Sequence, residues 1–495
     1  MNKATGLIDS GKLFSRSGES RAVYTMGGYR GAKQTAPVIE KASQEPLFEV
    51  GVASADDVAA AAAGARAAQV AWAAVPGPLR GDVLRKFAEL VNVHRLEIVE
   101  WIVRETGSIE GKGHFECDLT VREALESAML PSLPQGYMLP SVAPRPSYAR
   151  RVPIGVVGVI TPWNAPLILA ARAILPALAL GNAVILKPDV QTPVSGGFIL
   201  ARLFKEAGLP DGVLHVLPGG AETGEALVTE PAVGMISFTG STAVGRRVGS
   251  LAGGLLKKVA LELGGNNAFI VCEDADLERA AMAGAFGSFF HQGQICFTVG
   301  RHIVHASVAK KYAELLAARA KALHIGDPYR GQVHLGPMIN EKQAARAEKI
   351  LKDSLAQGAK VEAGGQRDGL FFQPTVLSGV DTSMPVFTEE IFGPIAPIVT
   401  FETDDEAVAL ANRTEYGLVA AVHSRNQARA FNIANRLNTG IVHINDQTVN
   451  HEVFGPIGGV GASGNGARSG LPSALDEFTQ WRWITVNETS PDYPF

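Results

Sequence analysis

From Gly155 onward, short apolar runs rich in β-branched residues alternate with helical stretches. The runs include GVVGVI, AVILKP, GVLHVLPG and MISFTGS, and helices are predicted from about Pro166 and Val194. This alternation predicts βαβ units and a parallel sheet covered on both faces. A second alternating series follows KVALELGGNNAFIV and continues through predicted helices near 277–289 and 308–322 to the strand GIVHIND. The chain is therefore expected to contain two α/β units in series.

The first part of the chain has a different pattern. Ser54 and Asp57 form a predicted capping box that opens an alanine-rich helix running to Trp72. Three further helices are predicted at about 79–93, 95–106 and 116–130. The segment PSLPQGYMLPSVAPRPS follows, and its prolines exclude a helix interior, so a domain edge or an extended excursion is expected there.

Composition excludes several classes of protein. A length of 495 residues favours two or three domains, and a net charge of -4 without long charged runs disfavours nucleic-acid binding. The three cysteines are too few for a disulfide framework and lack zinc-site spacing, and no other metal-site motif occurs.

Residues 1–21 do not resemble a signal peptide, which favours the cytoplasm. The most apolar stretch, 167–186, contains charged and helix-breaking residues and is expected to be a buried helix followed by a buried strand, with no membrane association.

Cys296 is the candidate nucleophile. It follows an apolar helix and the polar turn Gln292-Gly293-Gln294, which would expose its thiol, whereas Cys117 and Cys272 lack this setting and are expected to be structural. A buried, unreactive Cys296 is the alternative.

Two further residues are candidates for catalysis. Glu262 ends an apolar strand before a Gly-Gly break, where it either caps a turn or serves as a general base with a pKa raised by burial. Asn164 lies in ITPWNAP after a strand, so its amide either stabilises an oxyanion, or caps the helix predicted from Pro166, or does both.

The strand MISF and the turn Thr239-Gly240-Ser241 lead into a helix containing Gly245, an arrangement that presents free N–H groups to a pyrophosphate. Lys187 ends an apolar strand, where it either binds a ribose hydroxyl or is solvated. Residues 459–464 match G-x-G-x-x-G, but the following NGARSG does not favour a helix, so this match is interpreted as a loop.

In this order and at these separations, ITPWN, LKP, FTGS, LELGG, GQIC and EEIFGP resemble the motifs of the NAD(P)-dependent aldehyde dehydrogenase superfamily. The resemblance covers nearly the whole chain. It implies that Cys296 is the nucleophile, Glu262 the general base, and Asn164 with the Cys296 N–H the oxyanion hole. The resemblance implies a larger cofactor-binding set: Ile160, Thr161, Pro162, Trp163, Lys187, Gly220, Phe238, Thr239, Gly240, Ser241, Gly245, Leu263, Glu390 and Phe392.

The chain departs from the common pattern of the family at several positions. Val190 occupies the place of a glutamate that often binds ribose hydroxyls, with Asp189 one residue earlier, so NAD is expected but NADP remains possible. His291 replaces a common asparagine, and no proton-transfer role is assigned to it. Ala165 replaces a bulky aromatic, and Arg172 lies near where another aromatic is frequent.

A small residue at position 165 widens the substrate channel and suits a flat ring. Together with HQGQIC, VHINDQ and the YPF end, it makes the chain similar to the benzaldehyde, vanillin and salicylaldehyde dehydrogenases. Arg172 either meets a ring substituent or pairs with an acid. The residues expected to bind an aromatic aldehyde are Ala165, Arg172, Ile295 and Phe297.

The resemblance also implies two Rossmann-like domains and a small β unit. The coenzyme-binding domain is expected at 1–131 and 152–263, the catalytic domain at 264–470, and a bridging and oligomerisation unit at 132–151 and 471–495. The RWITV segment near the end would add a strand to a partner's sheet, giving a homodimer or homotetramer.

Three alternatives accompany this interpretation. The first is an aldehyde dehydrogenase acting on aliphatic aldehydes or semialdehydes. The second is a CoA-acylating dehydrogenase, which Glu262 disfavours because such enzymes usually lack that glutamate. The third is a non-catalytic binding protein of the same fold, which the presence of Cys296 disfavours.

Overall fold

A computed structural model describes residues 12–470 and 473–495. Part of the N-terminal segment 1–21, on which the expectation of no signal peptide depends, lies outside the described residues, as do positions 471 and 472. Two seven-stranded sheets and one three-stranded sheet organise the described chain. The predicted α/β fold is confirmed.

The first large sheet, sheet A, lies within residues 22–262. Five adjacent strands run parallel, and two short N-terminal strands continue the sheet in antiparallel pairing. In spatial order the strands are Lys258–Glu262, Val233–Thr239, Val156–Ile160, Ala183–Lys187, Leu214–Val216, Ala22–Thr25 and Gly28–Gly31. The helices of this part of the chain are Ala55–Ala74, Gly77–Val93, Arg95–Thr106, Glu110–Ser127, Pro166–Ala179, Ile199–Glu206, Ala221–Thr229 and Thr242–Gly254.

Most predicted helices of this part are present. The capping box is confirmed, because the Ser54 hydroxyl accepts from the Asp57 N–H at 3.2 Å and the Asp57 carboxylate accepts from the Ser54 N–H at 2.9 Å. The fourth helix, predicted at 116–130, instead spans Glu110–Ser127 and a 3₁₀ turn follows it. The early start was missed because two glycines precede the apolar face. The helix predicted from Val194 begins with a π turn and becomes an α-helix only at Ile199–Glu206.

The apolar stretch 167–186 is a helix followed by a strand, as predicted. Every residue of Pro166–Ala179 is buried, and Ala183–Lys187 is buried throughout. Within the part of the chain that the structure describes, no single helix is long and apolar enough to cross a membrane. The helices Ala55–Ala74 and Gly77–Val93 reach that length and apolarity only as a pair, and they are bent by 113°.

The second large sheet, sheet B, is built from residues 267–444. Six of its strands run parallel, and the first strand is antiparallel to its neighbour. In spatial order the strands are Lys360–Ala363, Thr375–Ser378, Ile395–Phe401, Val299–His305, Asn267–Val271, Val419–His423 and Ile441–Ile444. Its helices are Leu277–Phe289, Ala306–Ala322, Glu341–Ala356, Pro385–Thr388, Asp404–Asn412 and Gln427–Ala434.

The three-stranded sheet joins distant parts of the sequence. Its strands, in spatial order, are Thr479–Thr485, Ser147–Pro153 and Gly136–Met138, and all pairings are antiparallel. All seven residues of Thr479–Thr485, which contain most of the RWITV segment, pair with Ser147–Pro153 of the same chain. The other side of this edge strand has no pairing partner within the described residues, so the expectation that it adds to a partner's sheet stays a prediction. Equal length and matching register favour this intramolecular pairing.

Short two-stranded ribbons complete the fold. They pair Gln34–Ile39 with Pro46–Val52, Arg367–Asp368 with Phe371–Phe372, and Tyr416–Gly417 with Val460–Gly461. The last of these contains part of the G-x-G-x-x-G match at 459–464. No helix follows it before Ser473–Glu477, so its interpretation as a loop is confirmed.

Candidate active site

A cavity of about 370 Å³ contains the candidate nucleophile. The loops that follow two strands of sheet A, Val156–Ile160 and Val233–Thr239, meet there, as expected for the carboxyl ends of parallel strands. Ten of the residues singled out in the sequence line it: Pro162, Trp163, Asn164, Thr239, Gly240, Ser241, Leu263, Cys296, Glu390 and Phe392. The sequence pattern missed seven others: Leu169, Thr242, Ala243, Gly264, Gln343, Arg346 and Tyr416.

The turn before Cys296 is held in an unusual backbone conformation. His291 and Gln292 have φ values of 51° and 55°, and at Gly293, where φ is 67°, a Cβ atom would lie 2.3 Å from the Gly393 carbonyl oxygen. The Gln292 amide donates to the carbonyls of Gly107 and Pro337, both at 2.9 Å. These bonds to distant segments hold the left-handed turn, which positive φ values would otherwise disfavour.

Cys296 lines the cavity. The residue is partly exposed, whereas Cys117 and Cys272 are buried, as the sequence predicts for structural cysteines. Burial of the sulfur raises the pKa of Cys296 to about 12, and the positive charge of Arg172 opposes this shift. The Cys296 carbonyl accepts from the Asn267 side chain at 2.7 Å, which fixes the peptide on the other side of the turn.

Asn164 is buried beside this turn. Its side-chain amide donates to the Gln294 carbonyl at 3.0 Å, which leaves one N–H of the amide for another acceptor. The following helix, Pro166–Ala179, has Ala165 as its N-cap and no side-chain cap. The helix-capping role considered for Asn164 is therefore wrong, because its amide reaches across to the nucleophile turn instead.

Glu262 is the last residue of the strand Lys258–Glu262. Its carbonyl accepts from the Gly240 N–H at 3.1 Å, and it forms a β-bridge with Gly464. Burial raises the pKa of its carboxyl to about 7, although the charges of Arg172 and Arg468 lower it. A carboxyl with this pKa is half ionised near neutral pH and can accept a proton there.

Glu390 and Phe392 line the same cavity, just before the strand Ile395–Phe401 of sheet B. The Glu390 carboxylate accepts from the Gly265 N–H at 3.0 Å, and burial raises its pKa. The Phe392 ring meets Trp163 edge to face, with 5.6 Å between ring centres. Trp163 follows a strand of sheet A and Phe392 precedes a strand of sheet B, so this pair connects the two sheets across the cavity.

Lys187 is buried rather than solvated. Its ammonium donates to the carbonyls of Gly219 and Pro188, at 2.6 and 3.3 Å, and burial lowers its pKa. The solvated alternative is therefore wrong. Gly220 is exposed at the start of the helix Ala221–Thr229.

The turn after Val233–Thr239 can accommodate a phosphate. Ser241 is the N-cap of Thr242–Gly254 and makes no side-chain capping bond, so the first N–H groups of the helix remain free to bind an anion. A Cβ atom on Gly245 would lie 2.3 Å from the Leu263 side chain, so only glycine allows this helix to approach so closely. The Phe238 ring is buried against Gly240, and Ile160 is buried at the end of its strand. Thr161 has a buried hydroxyl without a hydrogen-bond partner in the described residues. These features fit a dinucleotide.

None of the four predicted substrate residues is among the described residues that line the cavity of about 370 Å³, but Ala165, Ile295 and Phe297 each adjoin a lining residue, Asn164 or Cys296, in the sequence. Ala165 packs against an apolar cluster formed by Leu119, Ile168 and Val453. A second apolar cluster contains both neighbours of Cys296, Ile295 and Phe297.

Arg172 is the charged member of the predicted substrate set. It is 7% exposed, and within residues 12–470 and 473–495 its guanidinium makes no hydrogen bond and no ion pair. The alternative that it pairs directly with an acid is therefore wrong in the described chain. Its charge nevertheless lowers the pKa of Cys296, Glu262 and the buried Glu123.

The sequence pattern also missed an ion pair behind the site. Lys112 and Glu116 are both buried on the helix Glu110–Ser127 and pair with each other. The Lys112 ammonium donates to the Asn164 carbonyl at 2.7 Å. Opposite charges four residues apart are the signal that could have found this pair.

Fold, cavity and motif order together define a dehydrogenase with a cysteine nucleophile. The model of the aldehyde dehydrogenase family matches residues 29–484, and the chain belongs to this family.

Individual relatives are similar over nearly the full length. Benzaldehyde dehydrogenase [NAD(+)] of Pseudomonas putida is 51% identical over 98% of both chains. Vanillin dehydrogenase of Amycolatopsis sp. is 52% identical over 96% of this chain and 98% of the relative. The crystal structure of a salicylaldehyde dehydrogenase from Pseudomonas putida G7, complexed with salicylaldehyde, superimposes with a TM-score of 0.92 at 32% identity, covering 96% of this chain and 99% of the other.

Proposed function

We propose that this protein oxidises an aromatic aldehyde to the carboxylic acid with NAD(P), preferentially NAD, as the hydride acceptor. The observation that carries this proposal is a single cavity that joins the Cys296 thiol to the uncapped helix start at Ser241. The similarity to benzaldehyde, vanillin and salicylaldehyde dehydrogenases supports an aromatic substrate.

The first step forms a bond between Cys296 and the substrate. The thiol loses its proton to cavity water, assisted by the positive charge of Arg172, and the sulfur adds to the aldehyde carbon. The carbonyl electron pair moves to oxygen, where the free N–H of the Asn164 amide and the Cys296 N–H stabilise the negative charge. When bound, the cofactor would supply its nicotinamide ring as the acceptor of the hydride that leaves this carbon, and a thioester on Cys296 would remain.

The second step releases the acid. Glu262 accepts a proton from water, and the resulting hydroxide adds to the thioester carbon. The carbon–sulfur bond then breaks, the electron pair returns to Cys296, and the carboxylic acid leaves. The pKa of about 7 at Glu262 suits this role near neutral pH, because a substantial fraction of the carboxyl groups is ionised and free to accept a proton.

The cofactor site would use the residues around the Ser241 turn. The N–H groups at the start of Thr242–Gly254 would bind the pyrophosphate, and Lys187, with one ammonium hydrogen still free, would bind the adenosine ribose. Glu390 and Phe392 would hold the nicotinamide side. Val190 offers no carboxylate to the ribose, so discrimination against a 2′-phosphate depends on Asp189, whose carboxylate already accepts from the Gln191 N–H at 2.9 Å.

Ring recognition would come from Ala165, Ile295, Phe297 and Arg172. The methyl group of Ala165 leaves width for a planar ring, and the side chains that flank the nucleophile supply apolar contact. Arg172 has all of its donors free within the described residues and would bind an oxygen substituent on the ring.

We also propose the domain division stated above: 1–131 with 152–263, 264–470, and 132–151 with 471–495. The strands of sheet A lie within 22–262 and those of sheet B within 267–444, which supports these boundaries.

A homodimer or homotetramer in the cytoplasm is proposed as well. Trp481 and Trp483, both exposed on the edge strand Thr479–Thr485, support a contact with a second copy of the chain.

Initial rates of NADH and NADPH formation test the function directly. Benzaldehyde, vanillin and hexanal would each be assayed with NAD and with NADP. We expect the highest kcat/KM with the ring aldehydes and NAD. Faster oxidation of hexanal would contradict the aromatic assignment, and turnover only after addition of CoA would contradict the hydrolytic second step.

A further inference from the structure

The oxyanion residue is connected to a buried ion pair that does not line the cavity. Lys112 and Glu116 lie one helical turn apart on Glu110–Ser127 and are 2% and 1% exposed. The Lys112 ammonium contacts the Glu116 carboxylate and donates to the Asn164 carbonyl at 2.7 Å. One oxygen of Glu116 accepts from the N–H groups of Leu167 and Ile168, at 3.0 and 3.3 Å.

The Lys112–Glu116 pair therefore binds two successive parts of one backbone segment. Lys112 holds the peptide of Asn164, and Glu116 holds the first turn of the helix Pro166–Ala179, which has no side-chain cap of its own. The single hydrogen bond from the Asn164 side chain to the Gln294 carbonyl would not by itself prevent the peptide from turning. Hydrogen bonds to charged groups are stronger than neutral ones, especially away from water.

We propose that Lys112 is a positioning residue that orients Asn164 for stabilising the oxyanion. This inference rests on the proposed function. The Lys112 ammonium holds the Asn164 peptide in one rotation, and that rotation directs the remaining amide N–H toward the carbonyl oxygen of the substrate. A displacement of about 1 Å in such a group slows a reaction by about 100-fold.

The test compares two variants. One removes both charges of the Lys112–Glu116 pair, and the other removes only the charge of Glu116. Lys112→Met with Glu116→Gln removes both charges and the donor to Asn164, and leaves no unpaired charge buried. Glu116→Gln alone keeps Lys112 and its bond to Asn164, and Gln can still accept from Leu167. The control, Lys86→Met with Glu89→Gln, removes an exposed ion pair on the helix Gly77–Val93.

The rate constant for the first burst of NADH is the main measurement, because oxyanion formation precedes hydride transfer. We expect the double variant at 112 and 116 to lose about 10- to 100-fold, with an unchanged KM for NAD. We expect Glu116→Gln alone to lose less than about threefold and the control to match the wild type. A burst within about twofold of the wild type in the double variant would overturn the proposal, as would an equal loss in Glu116→Gln.

A spectroscopic readout distinguishes positioning from a general structural defect. In a Glu262→Gln background the thioester should accumulate, and its carbonyl stretching band reports the hydrogen bonds that the carbonyl oxygen accepts. We expect Lys112→Met with Glu116→Gln to shift this band to higher wavenumber, and we expect the control, Lys86→Met with Glu89→Gln, to leave the band unchanged.

Failure of the proposed function and failure of the role assigned to Lys112 would give different results. Absence of any accumulated thioester with Glu262→Gln would contradict the proposed function, whereas a thioester with an unshifted band would contradict only the role of Lys112. Lys112→Gln with Glu116→Gln keeps a polar but shorter side chain at position 112. It replaces the Met variant where that does not fold, and a band shift is again expected because the shorter side chain falls short of the Asn164 carbonyl.

Discussion

Replacing Glu262 by Gln should separate the two halves of the reaction. The substitution preserves size and removes only the ability to accept a proton. General-base catalysis typically contributes about 10²- to 10⁴-fold, so steady-state kcat should fall by that amount. The first turnover does not use the carboxylate in the proposed sequence, so the NADH burst should survive and the thioester should accumulate.

The pH dependence supplies a quantitative check. With a pKa of about 7, Glu262 is half ionised near pH 7. About one tenth would be ionised at pH 6 and nearly all at pH 9. Deacylation in the wild type should therefore rise by about tenfold between pH 6 and pH 9 and then level off, because the ionised form is the active one. The variant should show a flat profile over the same range.

Rapid mixing with benzaldehyde and saturating NAD measures both quantities, and mass spectrometry of the quenched enzyme identifies the acylated Cys296. Glu225→Gln is a suitable control, since this exposed carboxylate pairs with Arg247 on the surface. Full steady-state turnover by Glu262→Gln, or a sloping pH profile for its deacylation, would refute the assignment of the base.

Four further outcomes follow from the same structure. Gly245→Val should raise the KM for NAD by at least about tenfold in steady-state assays, because its Cβ would lie 2.3 Å from the Leu263 side chain and displace the helix start. Val190→Glu should lower kcat/KM with NADP by about 10-fold or more relative to NAD, by placing a carboxylate near the 2′-phosphate. Arg172→Met should raise the pH midpoint of deacylation, since the Arg172 charge lowers the pKa of Glu262, and should reduce kcat/KM more for 4-hydroxybenzaldehyde than for benzaldehyde. Phe204→Ala should cost about 3–5 kcal/mol in chemical denaturation, because its buried ring stacks on Phe87 at 4.2 Å.

Each of these has an outcome that would contradict it. An unchanged KM for NAD in the Gly245 variant, or equal losses with both cofactors in the Val190 variant, would contradict the assigned cofactor site. Equal losses on both aldehydes in the Arg172 variant would remove its role in ring recognition. A decrease of less than about 1 kcal/mol in the free energy of unfolding of the Phe204 variant would mean that neighbouring side chains move into the space left by the ring.

Periodicity in the sequence predicted much of the fold. Leu277–Phe289 and Arg95–Thr106 were both predicted with their observed bounds, because apolar periodicity and local end signals agree there. The π turn at Val194–Phe198 could not be predicted, because its irregular hydrogen bonds depend on the buried Glu105 carboxylate, which accepts from the Val194 and Ser195 N–H groups.

The site was predicted where its residues belong to short local motifs. Asn164, Ser241 and Cys296 lie in such motifs, and they line one cavity. Lys112 was missed because its partner Asn164 is 52 residues away, and helical spacing alone gives no sign of a contact over that separation. The pairing of Thr479–Thr485 with Ser147–Pro153 of the same chain could not be predicted from the strand pattern alone, because such patterns indicate that a segment pairs but not with which strand.

The bridge between Glu262 and Gly464 joins two parts of the chain that leave the ribosome about 200 residues apart. Leu263 donates to the Ser463 carbonyl at 3.0 Å, and the Asn465 side chain bonds the backbone of Val259 and Leu261 along the outer edge of sheet A. A ribosome adds about 5–20 residues per second, so roughly 10–40 s separate the emergence of this strand from that of the segment that covers it. During that interval the nascent chain carries an open sheet edge and an incomplete setting for Glu262, so chaperone contact and premature aggregation should both concentrate there.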